Sequence, residues 1–203
     1  MWVKEKFYRP TLIKKLFFLL KIFFIYQLST SICLADLQKN IINKLTATKT
    51  LTFNFKQKIS DNEEEGNCFI KYPLLMKCNY KSLKEKTIIS NGKTVAIIKK
   101  KYKKIYLYPV KLTPLFFILQ KEKLINLVRK TKPYKINEDL IEFIFIDKKK
   151  NKVKILFDKN SLEIRGWKTK DAYSNNVSFE INSLVINNQI VDDFFKIPQE
   201  DDL

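Results

Sequence analysis

The chain has 203 residues, of which 45% are hydrophobic and 30% are charged, and its formal net charge is +18. This length suits one globular domain, with or without a tail. Three glycines are too few for a fold built on nucleotide-binding loops, and the absence of histidine removes the commonest general base and metal ligand. The basic charge suits nucleic acid or an anionic membrane surface. The simpler explanation is a compositional excess of lysine, which is scattered through every segment.

The N-terminus has the pattern of an export signal. An apolar run, Leu16–Leu28, follows a basic region and is interrupted only by Lys21. The tripeptide Cys33-Leu34-Ala35 has small residues at its first and third positions, as a cleavage site requires. We therefore predict a cleaved signal peptide over residues 1–35 and a domain over residues 36–203, with an uncleaved anchor as the alternative. The run is shorter than the roughly 20 apolar residues of a membrane span, and no later segment is longer, so we expect a soluble domain outside the cytoplasm.

After the signal, helical spacing gives way to alternation. Residues Asp36–Thr46 predict an amphipathic helix capped by Asp36. From Thr50 onward apolar residues alternate with polar ones, which is typical of strands, and Asn91-Gly92 predicts a tight hairpin. The segment Asp61–Gly66 reads as an acidic loop. The predicted strands are Leu51–Gln57, Cys68–Lys71, Leu75–Tyr80, Thr87–Ser90, Lys93–Ile98, Lys103–Tyr108, Lys135–Asn137, Leu140–Ile146, Lys152–Phe157, Leu162–Lys168 and Asn176–Ile181.

One very apolar segment interrupts the strands. Thr113 and Pro114 are typical of an N-cap and a first helical position, and a short apolar helix follows them. A second short helix is expected around Leu124 and Val128. Together the pattern predicts a mainly β protein with an α lid: an open or incomplete antiparallel β-barrel of about ten strands, with an N-terminal helix and short helices over an apolar cavity.

The order of these pieces resembles the periplasmic lipoprotein carrier proteins of Gram-negative bacteria, the LolA family. The resemblance covers nearly all of residues 36–203 and is carried by an ordered set of short motifs. They are Leu51–Gln57, Gly66…Tyr72-Pro73, Ile88–Thr94, Leu112–Leu115, Leu156–Asp158, Gly166-Trp167…Asp171-Ala172 and Asp193–Phe195…Pro198.

This resemblance implies a periplasmic chaperone that is not an enzyme and needs no cofactor. It implies that acylated lipoproteins are released by an inner-membrane ABC-type transporter, bound by the carrier, and delivered to an outer-membrane receptor. We expect a monomer that does not bind nucleic acid. The alternative is a periplasmic lipid-sensing or regulatory half-barrel without a transport role.

Two sets of residues are the candidates for acyl-chain binding, and ordinary core packing is the competing interpretation for both. The predicted cavity lining is Phe53, Phe55, Met76, Ile89, Phe143, Phe145 and Trp167. The predicted lid residues are Leu115, Phe116, Ile118 and Leu119.

Two departures from the family pattern concern the lid and the cavity. Where the family often has an arginine that holds the lid, this chain has Tyr72, whose phenol brings one hydrogen-bond donor and no charge. We treat Tyr72 as the candidate latch, with Lys71 or Lys77 as substitutes. Cys78 stands where the family has a tryptophan, and Met76 replaces a neighbouring aromatic residue.

Cys68 and Cys78 lie five residues on either side of Pro73. If the flanking strands pair as a hairpin, the two thiols face each other, and either a disulfide or two free buried thiols would fit. A metal site is not expected from two cysteines without histidine. Lys99–Lys104 is the densest basic run, and it fits either anionic headgroups or an acidic partner, or a merely solvated turn.

Overall fold

The computed structural model describes residues 34–81, 85–146, 152–170 and 174–203, so the predicted signal peptide lies outside it except for Leu34 and Ala35. The chain divides into two compact units, Met1–Lys39 and Asn40–Leu203, and the second unit holds every strand. The helices are α1 (residues 34–47), α2 (Leu115–Leu119) and α3 (Lys121–Lys130). The strands are β1 Thr50–Ile59, β2 Asn62–Lys71, β3 Leu75–Tyr80, β4 Lys86–Asn91, β5 Thr94–Lys99, β6 Lys104–Pro109, β7 Lys135–Ile136, β8 Leu140–Ile146, β9 Lys152–Asp158, β10 Ile164–Lys170 and β11 Asn176–Ile186.

All the strands join one antiparallel sheet in the order β6-β5-β4-β3-β2-β1-β11-β10-β9-β8-β7. Two meanders therefore meet where β1 pairs with β11, and β6 and β7 are the two edges. The sheet does not close into a barrel, which confirms the predicted fold class.

The strand register separates an inner face from an outer face. Paired residues of antiparallel strands point to the same side, and the row Phe53, Cys68, Cys78, Ile88 crosses four neighbouring strands. We call the side of this row the inner face. Because α2 lies over Phe145 of that same side, the inner face is the one that the helices cover.

The outer face is also covered in part. A buried cluster of Ile89, Ala96 and Ile98 packs there against Ile197 and Leu203. Strands β4 and β5 are therefore apolar on both sides, which breaks the simple alternation expected of a half-buried sheet.

Three local predictions are corrected by the structure. Asp36 lies within α1, because residues 34 and 35 are already helical. The predicted acidic loop Asp61–Gly66 belongs mostly to β2, where Lys56 of β1 pairs with Glu63 at 2.8 Å. Opposite charges on neighbouring strands stabilise such a pairing. The Thr113 hydroxyl donates to the Val110 carbonyl oxygen, so it does not cap α2.

Candidate functional site

A cluster of aromatic rings forms the centre of the inner face. The Phe179 ring of β11 stacks on Trp167 at 4.0 Å between centroids and on Phe55 at 4.8 Å. Phe53 meets the same ring edge-on at 6.3 Å. Sequence reasoning named three of these residues and missed Phe179, although Val177, Phe179 and Ile181 alternate on its strand.

The rest of the predicted lining extends this face in both directions. The register places Phe143 in line with Ile155, Trp167 and Phe179, and it places Phe145 on the same side. On the other half of the sheet, Met76 lies in line with Leu51. Six of the seven predicted lining residues therefore share one face of the sheet.

Ile89 is the exception, and its prediction as a lining residue is wrong. It pairs with Lys77, whose other partner is Phe69, and this row lies on the outer face. There Ile89 is buried under the C-terminal segment that contributes Ile197. The neighbouring Ile88 faces inward instead, because it pairs with Cys78.

The lid lies on the inner face, but its main contact differs from the predicted one. Phe117, which was not predicted, stacks on Phe145 with ring centroids 4.0 Å apart. The predicted lid residues Ile118 and Leu119 are buried, whereas Leu115 and Phe116 are only half-buried. A run of five apolar residues gives no polar position from which to tell the buried side of a single helical turn.

The lid continues into α3, which is amphipathic. Its buried side chains are Leu124, Ile125, Leu127 and Val128. Together with the three buried residues of α2, these are the buried apolar side chains of the lid, and Gln120 lies between the two groups.

Polar contacts hold the C-terminal end of α2. At its C-terminus the Leu119 carbonyl oxygen accepts a hydrogen bond from the Leu74 N–H at 3.0 Å. Just beyond it, the Lys121 ammonium donates to the carbonyl oxygens of Thr46 and Thr48 at 3.0 and 2.9 Å. A cation near the carbonyl end of α1 is favoured by the helix dipole.

The predicted latch residue, Tyr72, lies next to Lys121. Its ring centroid is 5.8 Å from the Lys121 Nζ, which is within the range of a cation–π contact. Burial raises the pKa of the Tyr72 phenol above its ordinary value. The positive charge next to Tyr72 therefore lies on the lid side, at Lys121. Sequence reasoning missed it because nothing distinguishes Lys121 among so many lysines.

Cys68 and Cys78 are joined by a disulfide in the structure. They are directly opposed on β2 and β3, as the symmetric spacing about Pro73 predicted. The bond links two neighbouring strands of the inner face close to Phe53, which pairs with Cys68.

The centre of the inner face buries aromatic and aliphatic side chains. Within the described ranges, no group of three or more cysteine, aspartate or glutamate side chains is placed to hold a metal ion. Among the helices of the same ranges, none is long and apolar enough to cross a bilayer. A separate, open pocket of about 320 Å³ lies on the outer face, where Phe69 and Phe194 contribute to its wall.

An open antiparallel sheet with a short apolar helix over an aromatic face defines the half-barrel class of fold. The sequence matches the family described as outer membrane lipoprotein carrier protein LolA over residues 46–198. The chain belongs to this family, whose members are carrier or binding proteins rather than enzymes. The resemblance inferred from the motifs is thereby confirmed.

Solved structures of related shape come from several bacteria. A LolA superfamily protein of Nitrosomonas europaea has 8% identity and a TM-score of 0.43, with 78% of this chain and 97% of that chain covered. The MucA/MucB complex of Pseudomonas aeruginosa gives 9% identity and a TM-score of 0.48, with 81% and 62% covered. A putative lipoprotein-sorting domain of Vibrio parahaemolyticus gives 10% identity and a TM-score of 0.43, with 77% and 94% covered. No curated protein matched the chain.

Proposed function

We propose that this chain is a periplasmic carrier that binds the acyl chains of lipoproteins on its inner face once the lid has moved. In this role it accepts cargo released by an ABC-type transporter of the inner membrane and transfers it to a receptor at the outer membrane. Membership of the lipoprotein carrier family and the lid over an aromatic face support the proposal. The observation that carries it is the stacking of Phe117 on Phe145, because this lid side chain covers apolar surface of the inner face that an acyl chain would need.

The apolar groups of the lid and of one acyl chain contribute similar free energies when they are buried. Each buried methylene contributes about 0.8 kcal/mol, so one acyl chain of about sixteen carbons contributes about 12 kcal/mol. Exposing the three buried lid residues of α2 and the four of α3 costs about 2 kcal/mol each, or about 14 kcal/mol together. The two values nearly cancel, so cargo can replace the lid without a large net change in free energy.

We expect the lid to move more easily than the sheet, because α2 is short. Helix α2 has five residues, far fewer than the roughly 12 needed for a helix to be stable by itself. Strands β1 and β2, by contrast, are ten residues long and are paired along their whole length. Elements with few backbone hydrogen bonds to the rest of the fold open at the lowest free energy.

Photo-crosslinking in a Gram-negative host tests the proposal with a matched pair of positions. A photoreactive phenylalanine analogue replaces Phe145 on the inner face in one variant and Phe69 on the outer face in the other. Both residues are half-buried phenylalanines. We expect crosslinks to triacylated lipoproteins from position 145 and none from position 69.

Crosslinks to lipoproteins from both faces, or from neither, would contradict a carrier that uses the inner face. The regulatory alternative predicts a different product, namely a partner protein without acyl chains. Mass spectrometry of the crosslinked material distinguishes the two, because acyl chains add a known mass to the modified cysteine.

A further inference from the structure

Residues 99–112 form a basic edge of the sheet. This segment contains β6 and the two 3-10 turns, Lys100–Tyr102 and Val110–Leu112, that flank it. It has no acidic residue, and its lysines are Lys99, Lys100, Lys101, Lys103, Lys104 and Lys111. Among the described residues, no carboxylate lies within 4.0 Å of any of these ammonium groups, since the ion pairs involve other lysines.

Large apolar and aromatic side chains are exposed on the same edge. Their exposed fractions are Tyr102 54%, Tyr106 44%, Leu107 60%, Tyr108 45% and Leu112 76%. Leu112 is the most exposed of the large apolar residues in the described ranges. Isolated exposed leucines need no explanation, but five such residues within eleven positions form a patch.

The position of β6 in the sheet brings the lysines and the apolar groups together. It is an edge strand, so among the residues that the structure describes no further strand pairs with its free edge. The register places Tyr106 and Tyr108 on the inner side, and Leu107 on the outer side. The Lys99 ammonium lies 5.3 Å from the Tyr106 ring centroid. The strand therefore presents aromatic and aliphatic groups on both sides, flanked by charge.

One contact shows that a backbone N–H of this edge can bind an anionic oxygen atom. The Ile105 N–H donates to the Glu200 carboxylate at 3.0 Å, so a side-chain anion takes the place that a further strand would occupy. Glu200 belongs to an acidic turn, Glu200–Asp202, which is the source of negative charge at this side of the sheet.

From this combination we infer that the basic edge docks the protein on an anionic phospholipid membrane. Lysines near a surface of anionic lipids are attracted to it, and tyrosines favour the boundary between headgroups and acyl chains. The exposed leucines then reach the apolar layer. An acidic protein would explain the lysines but not the exposed Leu107 and Leu112. The inference does not depend on acyl-chain binding by the inner face.

A tryptophan at the edge reports the contact directly. In the full chain with Trp2→Phe and Trp167→Phe, Leu107→Trp places the sole reporter on the basic edge, and Val185→Trp provides a matched control on β11, where 48% of the valine is exposed. The vesicles contain phospholipids brominated along their acyl chains, which quench tryptophan on contact, either all neutral or with phosphatidylglycerol added. We expect quenching at position 107 with anionic vesicles only, and no change at position 185.

Charge variants then test whether the lysines of the basic edge attract the anionic membrane. Lys100→Gln, Lys101→Gln and Lys103→Gln together remove three charges from the edge, and each is worth about fivefold in binding. We expect about a hundredfold weaker binding for this triple variant. The matched control changes Lys58, Lys168 and Lys170, which are exposed elsewhere on the sheet, and it is expected to bind almost as the parent does.

Several results would overturn the inference. They are the absence of quenching at position 107, equal quenching by neutral vesicles, equal quenching at position 185, and equal weakening by the two triple variants. A response of the reporter to soluble polyglutamate without any response to vesicles would also overturn it and would assign the edge to an acidic protein. Failure of lipoprotein crosslinking at position 145 would leave the inference standing.

Discussion

The stacking of Phe117 on Phe145 leads to a prediction about how the lid opens. Phe117 is 6% exposed, and its ring lies parallel to that of Phe145 within 20°. Truncating a buried phenylalanine to alanine costs about 3–5 kcal/mol. If the lid opens as a local unit, Phe117→Ala lowers the free energy of that opening by this amount, while the sheet keeps most of its own stability.

Native-state hydrogen exchange measures this opening directly. The Gln120 N–H is bonded to the Phe116 carbonyl oxygen at 3.1 Å and closes α2, so its exchange reports the lid. A loss of about 3 kcal/mol is more than a hundredfold faster exchange, since each 1.4 kcal/mol is tenfold. Amides of β1 and β2 are expected to change much less.

Phe157→Ala is the matched control for the lid variant. Phe157 is 0% exposed and lies on β9, where it contacts Phe143 edge-on at 5.8 Å. We expect it to lower the free energy of global unfolding by about 3–5 kcal/mol without selectively affecting α2. Equal acceleration of α2 and strand amides in the Phe117→Ala protein would refute a lid that opens separately.

Three further predictions concern the contacts around the lid and the inner face. Lys121→Met removes two hydrogen bonds from a charged group, so lid opening should become easier by about 1.5–3 kcal/mol, read from α2 exchange. Reduction of the Cys68–Cys78 disulfide, which closes a short loop, should lower the free energy of unfolding by about 2–4 kcal/mol, measured by urea denaturation with and without reductant. Burial and the nearby Glu64 charge raise the pKa of Tyr80. The protonated phenol is therefore favoured in the folded state, and stability is present below the unfolded pKa of about 10 and lost above it, with Tyr80→Phe flattening the loss in alkaline denaturation.

Each of these predictions has a control in the same chain. Lys123 lies 4.8 Å from the Phe116 ring centroid, so Lys123→Met removes a lid charge that does not bind α1. Similar amide exchange of α2 in the Lys121→Met and Lys123→Met proteins would show that the hydrogen bonds of Lys121 do not hold the lid closed. A Cys68→Ala, Cys78→Ala protein must show no response to reductant. Tyr134 is exposed, and an equal flattening by Tyr134→Phe would show that the alkaline loss does not come from Tyr80.

Strong local signals were sufficient to predict most of the sheet. The spacing of Cys68 and Cys78 predicts the pairing of β2 with β3, and the Asn91-Gly92 hairpin predicts that of β4 with β5. The alternation of Phe53 and Phe55 fixes which side of β1 is buried. These features depend on neighbouring residues or on short loops, where sequence spacing determines geometry.

Contacts between distant segments could not be predicted in the same way. Ile88 and Ile89 are adjacent and equally apolar, and only the covering of the outer face by Ile197 explains why the outward-facing Ile89 is buried. The choice of Phe117 over Phe116 as the main lid contact depends on how α2 meets β8. Such choices are made by tertiary packing, which a single sequence does not encode in its periodicity.

The central claim is that an acyl chain replaces the lid on the inner face, and Trp167 offers the most direct test. Trp2 and Trp167 are the two tryptophans of the chain, so Trp2→Phe leaves one reporter, which stacks on Phe179 and is 7% exposed. A synthetic lipopeptide with brominated acyl chains should quench Trp167 as it binds, and the same peptide without bromine should not. Saturable binding of the lipopeptide with no quenching of Trp167, or no binding at all, would contradict the account.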